Sequence, residues 1–217
     1  MNTATTPAPT LDLADWIAPG RTALLVIDMQ VDFASPEGAL GRAGVDLSAV
    51  PPALAAAERL AASARAAGVS VIFVGLQTQA ALDPPAWRER SRRRGEGEGE
   101  GLCRLGQPGA DFVGPTPAPG ELVVGKIRYS GFFGTTLDAA LKAAGVDTLV
   151  VCGLTTECCV DCTVRDAFHL DYHVFVVTDA CAAYDPALHS GALIALDLNC
   201  AILVDSEQVL RAWRGDA

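Results

Sequence analysis

Short, nearly continuous apolar runs rich in β-branched residues alternate along this chain with longer stretches dominated by Ala and Leu. TALLVIDMQ (22–30) predicts a buried strand, and VSVIFVGLQ (69–77), GELVVGK (120–126), VDTLVVCG (146–153), HVFVVTD (173–179) and CAILVD (200–205) predict five more. Between them lie predicted helices. LSAVPPALAAAERLAASARAAG (47–68) starts near Pro51 or Pro52 and stops at Gly68, TTLDAALKAAG (135–145) stops at Gly145, CCVDCTVRDAFHLD spans 158–171, DPALHSGALIALDLN spans 185–199, and SEQVLRAWR closes the chain as a short helix. Apolar strands separated by helices imply a mostly parallel sheet covered on both faces. The expected fold class is α/β, a three-layer α/β/α arrangement of about six strands flanked by helices.

One stretch breaks this rhythm. Residues 78–119 are of mixed polarity and hold WRERSRRR (87–94), GEGEGEG (95–101) and the Pro/Gly-rich GQPGADFVGPTPAPG (106–120). A long excursion in a compact domain is usually functional or mobile. It reads either as a solvated loop whose basic and acidic halves offset one another, or as a flap over a pocket or a subunit contact with Trp87 and the arginines facing inward.

Composition narrows the classes. The chain has 217 residues, half of them apolar and 19% charged, which suits one globular domain spanning 1–217. Its net charge of -10 disfavours nucleic acid and anionic lipid surfaces as partners, and no apolar run is long enough to span a bilayer. The opening MNTATTPAPT lacks the features of a signal peptide, so the seven cysteines are expected to be mostly reduced thiols in a cytoplasmic protein.

In open parallel sheets ligands sit beyond the carboxyl ends of the strands. Three reactive groups are predicted there: Asp28 after the first strand, Lys126 just past the strand at 121–125, and Cys158 or Cys159 at the start of the helix after the fourth strand. Each alone has a structural explanation, as a turn cap, a surface lysine or a small core side chain. Together they make coherent chemistry. A helix N-terminus and a nearby ammonium would stabilise a thiolate, the carboxylate would act as general base and then general acid, and backbone N–H groups of the turn would bind an oxyanion. The expected outcome is a thioester intermediate and hydrolysis of a C–N bond.

The blocks LLVIDMQVDF, GKIRYSGFFGTTLD and GLTTECCVDCTVRDA resemble those of the isochorismatase-like cysteine hydrolases, over residues from about 20 to 205. The resemblance implies the corresponding fold and a triad of Asp28, Lys126 and Cys159, the motif G-x-x-T-x-x-C-V placing the nucleophile at Cys159 rather than Cys158. It also implies a cis peptide at Leu154–Thr155, an oxyanion hole from the N–H groups of Thr155 and Cys159, and pocket positions for Phe33, Phe132 and Phe133, which join Trp87 as candidate substrate-binding residues. Nicotinamidases of this family hold a metal with an Asp/His cluster after the second strand. Here GLQTQAALDPPAWRERSRRRG carries no His, so no metal or other cofactor is expected. Isochorismatases proper cleave a vinyl ether without a thiol, and remain the alternative. Cys159 favours the branch that acts on a small amide, ureido or carbamoyl compound and releases ammonia or a small amine. The family also implies a homo-oligomer, a dimer or a tetramer.

Two rival readings concern the cysteine cluster. Cys159-Val160-Asp161-Cys162 has the form of a C-x-x-C redox pair, and Cys159, Cys162, His169 and His173 have the residue types of a zinc site. The redox reading leaves the Asp and Lys blocks unexplained, and the Cys162–His169 spacing is short for a zinc finger. A catalytically dead binding module is disfavoured because all three reactive positions are filled. Core packing explains Cys152 and Cys158. Cys103, Cys181 and Cys200 have no assigned role, and His189 is expected to cap or decorate an exposed helix face.

Overall fold

The computed structural model describes residues 12–95 and 101–215. The six apolar runs form the strands β1 (Thr22–Ile27), β2 (Ser70–Leu76), β3 (Leu122–Lys126), β4 (Thr148–Leu154), β5 (His173–Ala182) and β6 (Ile202–Val204). They make one sheet in the order β3-β2-β1-β4-β5-β6, and every pairing is parallel. The chain builds outward from β1 in one direction, then returns to add β4 on its other side. The β1/β4 boundary is therefore the topological switch point, where side chains at the carboxyl ends face an open crevice.

The helices are α1 (Leu13–Trp16), α2 (Val31–Ala34), α3 (Ala39–Arg42), α4 (Val50–Ala67), α5 (Pro85–Arg93), α6 (Leu137–Ala143), α7 (Asp161–His169), α8 (Pro186–Asn199) and α9 (Ser206–Arg214). The alternation of strand side chains sorts them into two layers. Leu24 and Val26 face a core built with α4 and α9, where Ala53, Ala57, Leu60, Val209 and Trp213 pack. Ala23, Leu25 and Ile27 face the opposite core, where Leu137, Leu141, Val164 and Leu196 pack. Pro51 sits in the first turn of α4, and Gly68 ends it at φ 76, a left-handed cap that favours glycine. The expected three-layer architecture is the observed one.

The first strand is shorter than its apolar run. β1 ends at Ile27 because Asp28 turns the chain with φ 48, in the left-handed region. The predicted helix at 158–171 also begins differently. A wide turn of π type covers Thr156–Val160, and α7 follows from Asp161. Helices α1 to α3 and α5 come from segments with no helical apolar period. Residues 96–100, most of GEGEGEG, lie outside the described residues. Among the described residues no helix is long and apolar enough to cross a membrane.

Candidate active site

Asp28 leaves β1 at the point where β2 ends beside it. Its backbone N–H donates to Val74 O (2.8 Å), and its Oδ1 accepts from the N–H of Leu76 (2.9 Å). These bonds fix the carboxylate, whose Oδ2 accepts from Lys126 Nζ at 2.7 Å. Lys126 is the last residue of β3, so its side chain crosses the end of β2 to reach Asp28. Its ammonium also donates to Arg128 O (3.1 Å) and to Cys159 Sγ (3.4 Å). Asp28 and Lys126 are each 1% exposed and Cys159 is 7% exposed. One buried ammonium thus bridges the carboxylate and the thiol.

The turn holding Cys159 is set by its neighbours. Gly153 precedes it at φ 145, and a Cβ there would lie 2.2 Å from Ile27 O, so only glycine lets β4 run this close to β1. The Leu154–Thr155 peptide is cis. Thr163 Oγ1 donates to Cys159 O (2.6 Å) and accepts from Gly131 N–H (2.9 Å), tying the SGFFGT segment to the cysteine turn. Thr156 is fully buried, with Oγ1 2.8 Å from His189 Nδ1. His189, expected on an open helix face, instead joins α8 to this turn. Burial lowers its pKa, against the pull of Glu157.

The electrostatics separate the two charged states. Burial pushes Lys126 down, but Asp28 and Cys159 outweigh it and the ammonium is held above its ordinary value. The adjacent Cys158 thiol, burial and the Asp28 carboxylate push the Cys159 thiol well up, while Lys126 pulls it down. The resting thiol therefore keeps its proton beside an ionised lysine. Desolvation and two acidic neighbours thus oppose the help that Lys126 gives the thiolate, which leaves Asp28 a proton to accept.

A cavity of about 660 Å³ opens above Cys159. Phe33, Leu76, Leu154 and Leu102 give it apolar walls. Thr155, Cys158, Cys159 and Tyr184 surround the end at the cysteine turn, and the partly exposed Tyr129 lines it together with Trp87, Arg88, Arg90 and Ser91 of α5 at the rim. Trp87 stacks on Tyr129, with ring centroids 5.4 Å apart. The excursion therefore turns Trp87 and two arginines toward the pocket. Phe33 and Trp87 reach the cavity as expected. Phe132 and Phe133 are not among its lining residues. Phe132 is buried against Tyr172, and Phe133 is 64% exposed, because the SGFFGT turn directs one ring into the core and the next to the surface. Tyr129 and Tyr184 occupy the wall instead.

Sequence reasoning missed two polar residues beneath the site. Gln30 bridges strand ends and excursion, accepting from Leu76 N–H (2.8 Å) and donating to Leu76 O and Ala110 O (2.9 and 2.8 Å). Asp32 accepts from the N–H groups of Ala39 and Cys103 (2.9 and 2.7 Å). Both lie in DMQVDF, where the first Asp drew attention and the later polar residues were the available signal.

The other cysteines are framework. Cys103, Cys152 and Cys181 are buried, and burial raises all three thiols, Cys181 to about 12. Cys200 closes α8. Cys162 is half-buried on α7 and does not line the cavity. His173 begins β5 at the opposite end of the sheet, its ring against Trp16, so it cannot join Cys159 in a metal site. Among the described residues no group of three or more His, Cys, Asp and Glu side chains is placed to hold a metal ion.

Comparison with known proteins adds independent findings. The model of the isochorismatase domain matches residues 22–208. The ureidoacrylate amidohydrolase RutB of Methylobacterium radiotolerans is 39% identical over 195 residues, covering 82% of this chain and 74% of that protein. A cysteine hydrolase from Pseudomonas syringae pv. phaseolicola superposes with a TM-score of 0.80 at 27% identity, covering 93% of this chain and 96% of that one. The N-carbamoylsarcosine amidase of Thermoplasma acidophilum gives 0.69 at 29% identity, covering 86% and 97%.

Proposed function

The chain belongs to the isochorismatase family and is a hydrolase of the C–N bonds of small amides, and we propose that it works through a thioester on Cys159. The observation that carries this reading is the bridging ammonium of Lys126, 2.7 Å from Asp28 Oδ2 and 3.4 Å from Cys159 Sγ, with Cys159 facing the cavity.

Because the resting thiol is protonated, Asp28 acts first as general base. It takes the thiol proton as Sγ attacks the carbonyl carbon of the amide or ureido group. Lys126 stays charged throughout, stabilising the sulfur as it ionises and holding the carboxylate in place. The developing oxyanion is received by the N–H groups of Thr155 and Cys159 on the turn after β4. Protonated Asp28 then gives its proton to the leaving nitrogen, and ammonia or a small amine departs as the thioester forms. Water attacks the thioester with Asp28 again accepting a proton, the C–S bond breaks to release the acid product, and Asp28 returns the proton to Sγ, so that the Cys159 thiol and the carboxylate are both regenerated.

The names of the relatives, a ureidoacrylate amidohydrolase and an N-carbamoylsarcosine amidase, favour a ureido or carbamoyl substrate over a simple amide. Exposed apolar side chains on α8 and β6, Leu188, Ile194, Leu198 and Ile202, support a homo-oligomeric contact. Seven unpaired thiols suit a cytoplasmic protein. Ammonia release from a panel of small amides, ureas and carbamoyl compounds tests the proposal. A substrate turned over by the wild type and not by Cys159→Ala supports it, and equal turnover by both overturns it.

A further inference from the structure

We propose that the substrate carries an anionic group, a carboxylate or its equivalent, at the end remote from the scissile bond, and that Arg88 and Arg90 of α5 read it. This inference rests on the assignment of Cys159 as the reacting atom.

Charge distribution carries the argument. The chain is strongly acidic, yet five arginines fall within residues 88–94. Helical geometry divides them. Arg92 and Arg93 lie on the face with Glu89 and both bond it at 2.7–2.8 Å. Trp87, Arg88, Arg90 and Ser91 share the face that lines the cavity. Arg104 also lines the cavity, but Asp83 holds its guanidinium at 2.7–2.8 Å. Among the described residues that line the cavity, Asp83 is the one carboxylate, against three guanidiniums. Among the described residues no ion pair engages Arg88 or Arg90.

Below them the charges are already matched. Lys126 and Asp28 neutralise each other, and the walls near Cys159 are Phe33, Leu76, Leu154 and the Tyr184 ring. The cavity is therefore apolar near its reacting end and cationic at its rim. Arg90 also acts on the Tyr129 side of the cavity: burial raises the Tyr129 phenol, and the Arg90 charge acts on it in the opposite direction. A small molecule with an amide or ureido carbonyl at one end and an anion at the other matches this gradient. A neutral substrate would leave two guanidiniums over its end without a counter-charge. A cleft of one sign also concentrates the opposite ion, and an acidic protein otherwise repels anions.

The test uses two alkylating reagents of nearly the same shape, neutral iodoacetamide and anionic iodoacetate, on the full-length protein. Fragment-ion mass spectrometry assigns each adduct to Cys159. The ratio of the iodoacetate rate to the iodoacetamide rate is expected to fall about tenfold from wild type to Arg88→Gln/Arg90→Gln, the scale of electrostatic focusing in a one-sign cleft. The iodoacetamide rate itself stays unchanged, which also reports an intact fold. Arg88→Lys/Arg90→Lys retains most of the wild-type ratio, and rising ionic strength lowers the ratio in wild type but not in the Gln variant. An equal ratio in wild type and the Gln variant overturns the anion site and leaves the nucleophile standing. A Cys159 that neither reagent modifies overturns the nucleophile, and the anion site with it.

Discussion

Lys126 and Asp28 form an ion pair of 2.7 Å with both side chains at most 1% exposed. A pair this deep has no water to compensate the loss of either member, so each charge depends on the other. Lys126→Met leaves a buried carboxylate alone and is expected to lower folding stability by about 3–5 kcal/mol. Asp28→Asn combined with Lys126→Met, which removes both charges, is expected to cost less than the sum of the two single changes. Urea denaturation of the four proteins checks the cycle; additive losses would show that the charges are independent.

The same pair governs rate. Asp28→Asn and Lys126→Ala are each expected to reduce kcat/KM by about three orders of magnitude or more, and the double variant by little more than either single one, because members of a catalytic unit are not additive. Steady-state ammonia release measures this on any substrate found in the panel. Near-normal turnover in Lys126→Ala would remove the lysine from the mechanism.

The protonation state of Cys159 makes a separate prediction. A thiol pushed above its ordinary pKa is mostly protonated at neutral pH, and its thiolate fraction grows about tenfold per pH unit until that raised value is reached. Iodoacetamide modification of Cys159 is therefore expected to keep accelerating from pH 7 to beyond pH 9. A plateau already reached near pH 7 would mean a pre-formed thiolate and would assign the proton step differently.

Thr163 gives a prediction about the scaffold. Its hydroxyl is buried and joins Cys159 O to Gly131 N–H. Thr163→Val strands both partners and is expected to cost about 1–3 kcal/mol, lowering Tm, and to reduce turnover by loosening the cysteine turn. Thermal melts with parallel rates check it. A variant with wild-type Tm and rate would show that the bridge is dispensable.

Much of this arrangement was legible in the residue pattern, for reasons that the structure makes plain. A strand buried on both faces needs an unbroken apolar run, so the central strands β1, β2, β4 and β5 announced themselves, and the edge strands β3 and β6 were legible as short β-branched runs although half of their side chains are exposed. The three reactive residues were visible because each lies at or just beyond the carboxyl end of such a run, Asp28 and Lys126 directly and Cys159 one turn later. The limits are equally physical. β1 stops at Asp28 through a backbone angle that polarity does not encode. α5 has almost no apolar stripe, since its inner face meets a cavity rather than a core, so the excursion did not read as a helix. Phe132 and Phe133 carry no mark of direction, whereas the turn that holds them sends one inward and one outward. Tyr129 and Tyr184 reach the cavity only through the packing of distant segments.

The most direct test of the central claim is to catch the acyl group on the sulfur. A substrate from the panel is mixed with enzyme, quenched in acid within the turnover time, and the protein is weighed intact and mapped by fragment ions. The account predicts a mass gain equal to the acyl part of the substrate, located on Cys159, released by hydroxylamine and absent in Cys159→Ala. Continued substrate turnover by Cys159→Ala, with no adduct on the wild-type cysteine, would contradict it.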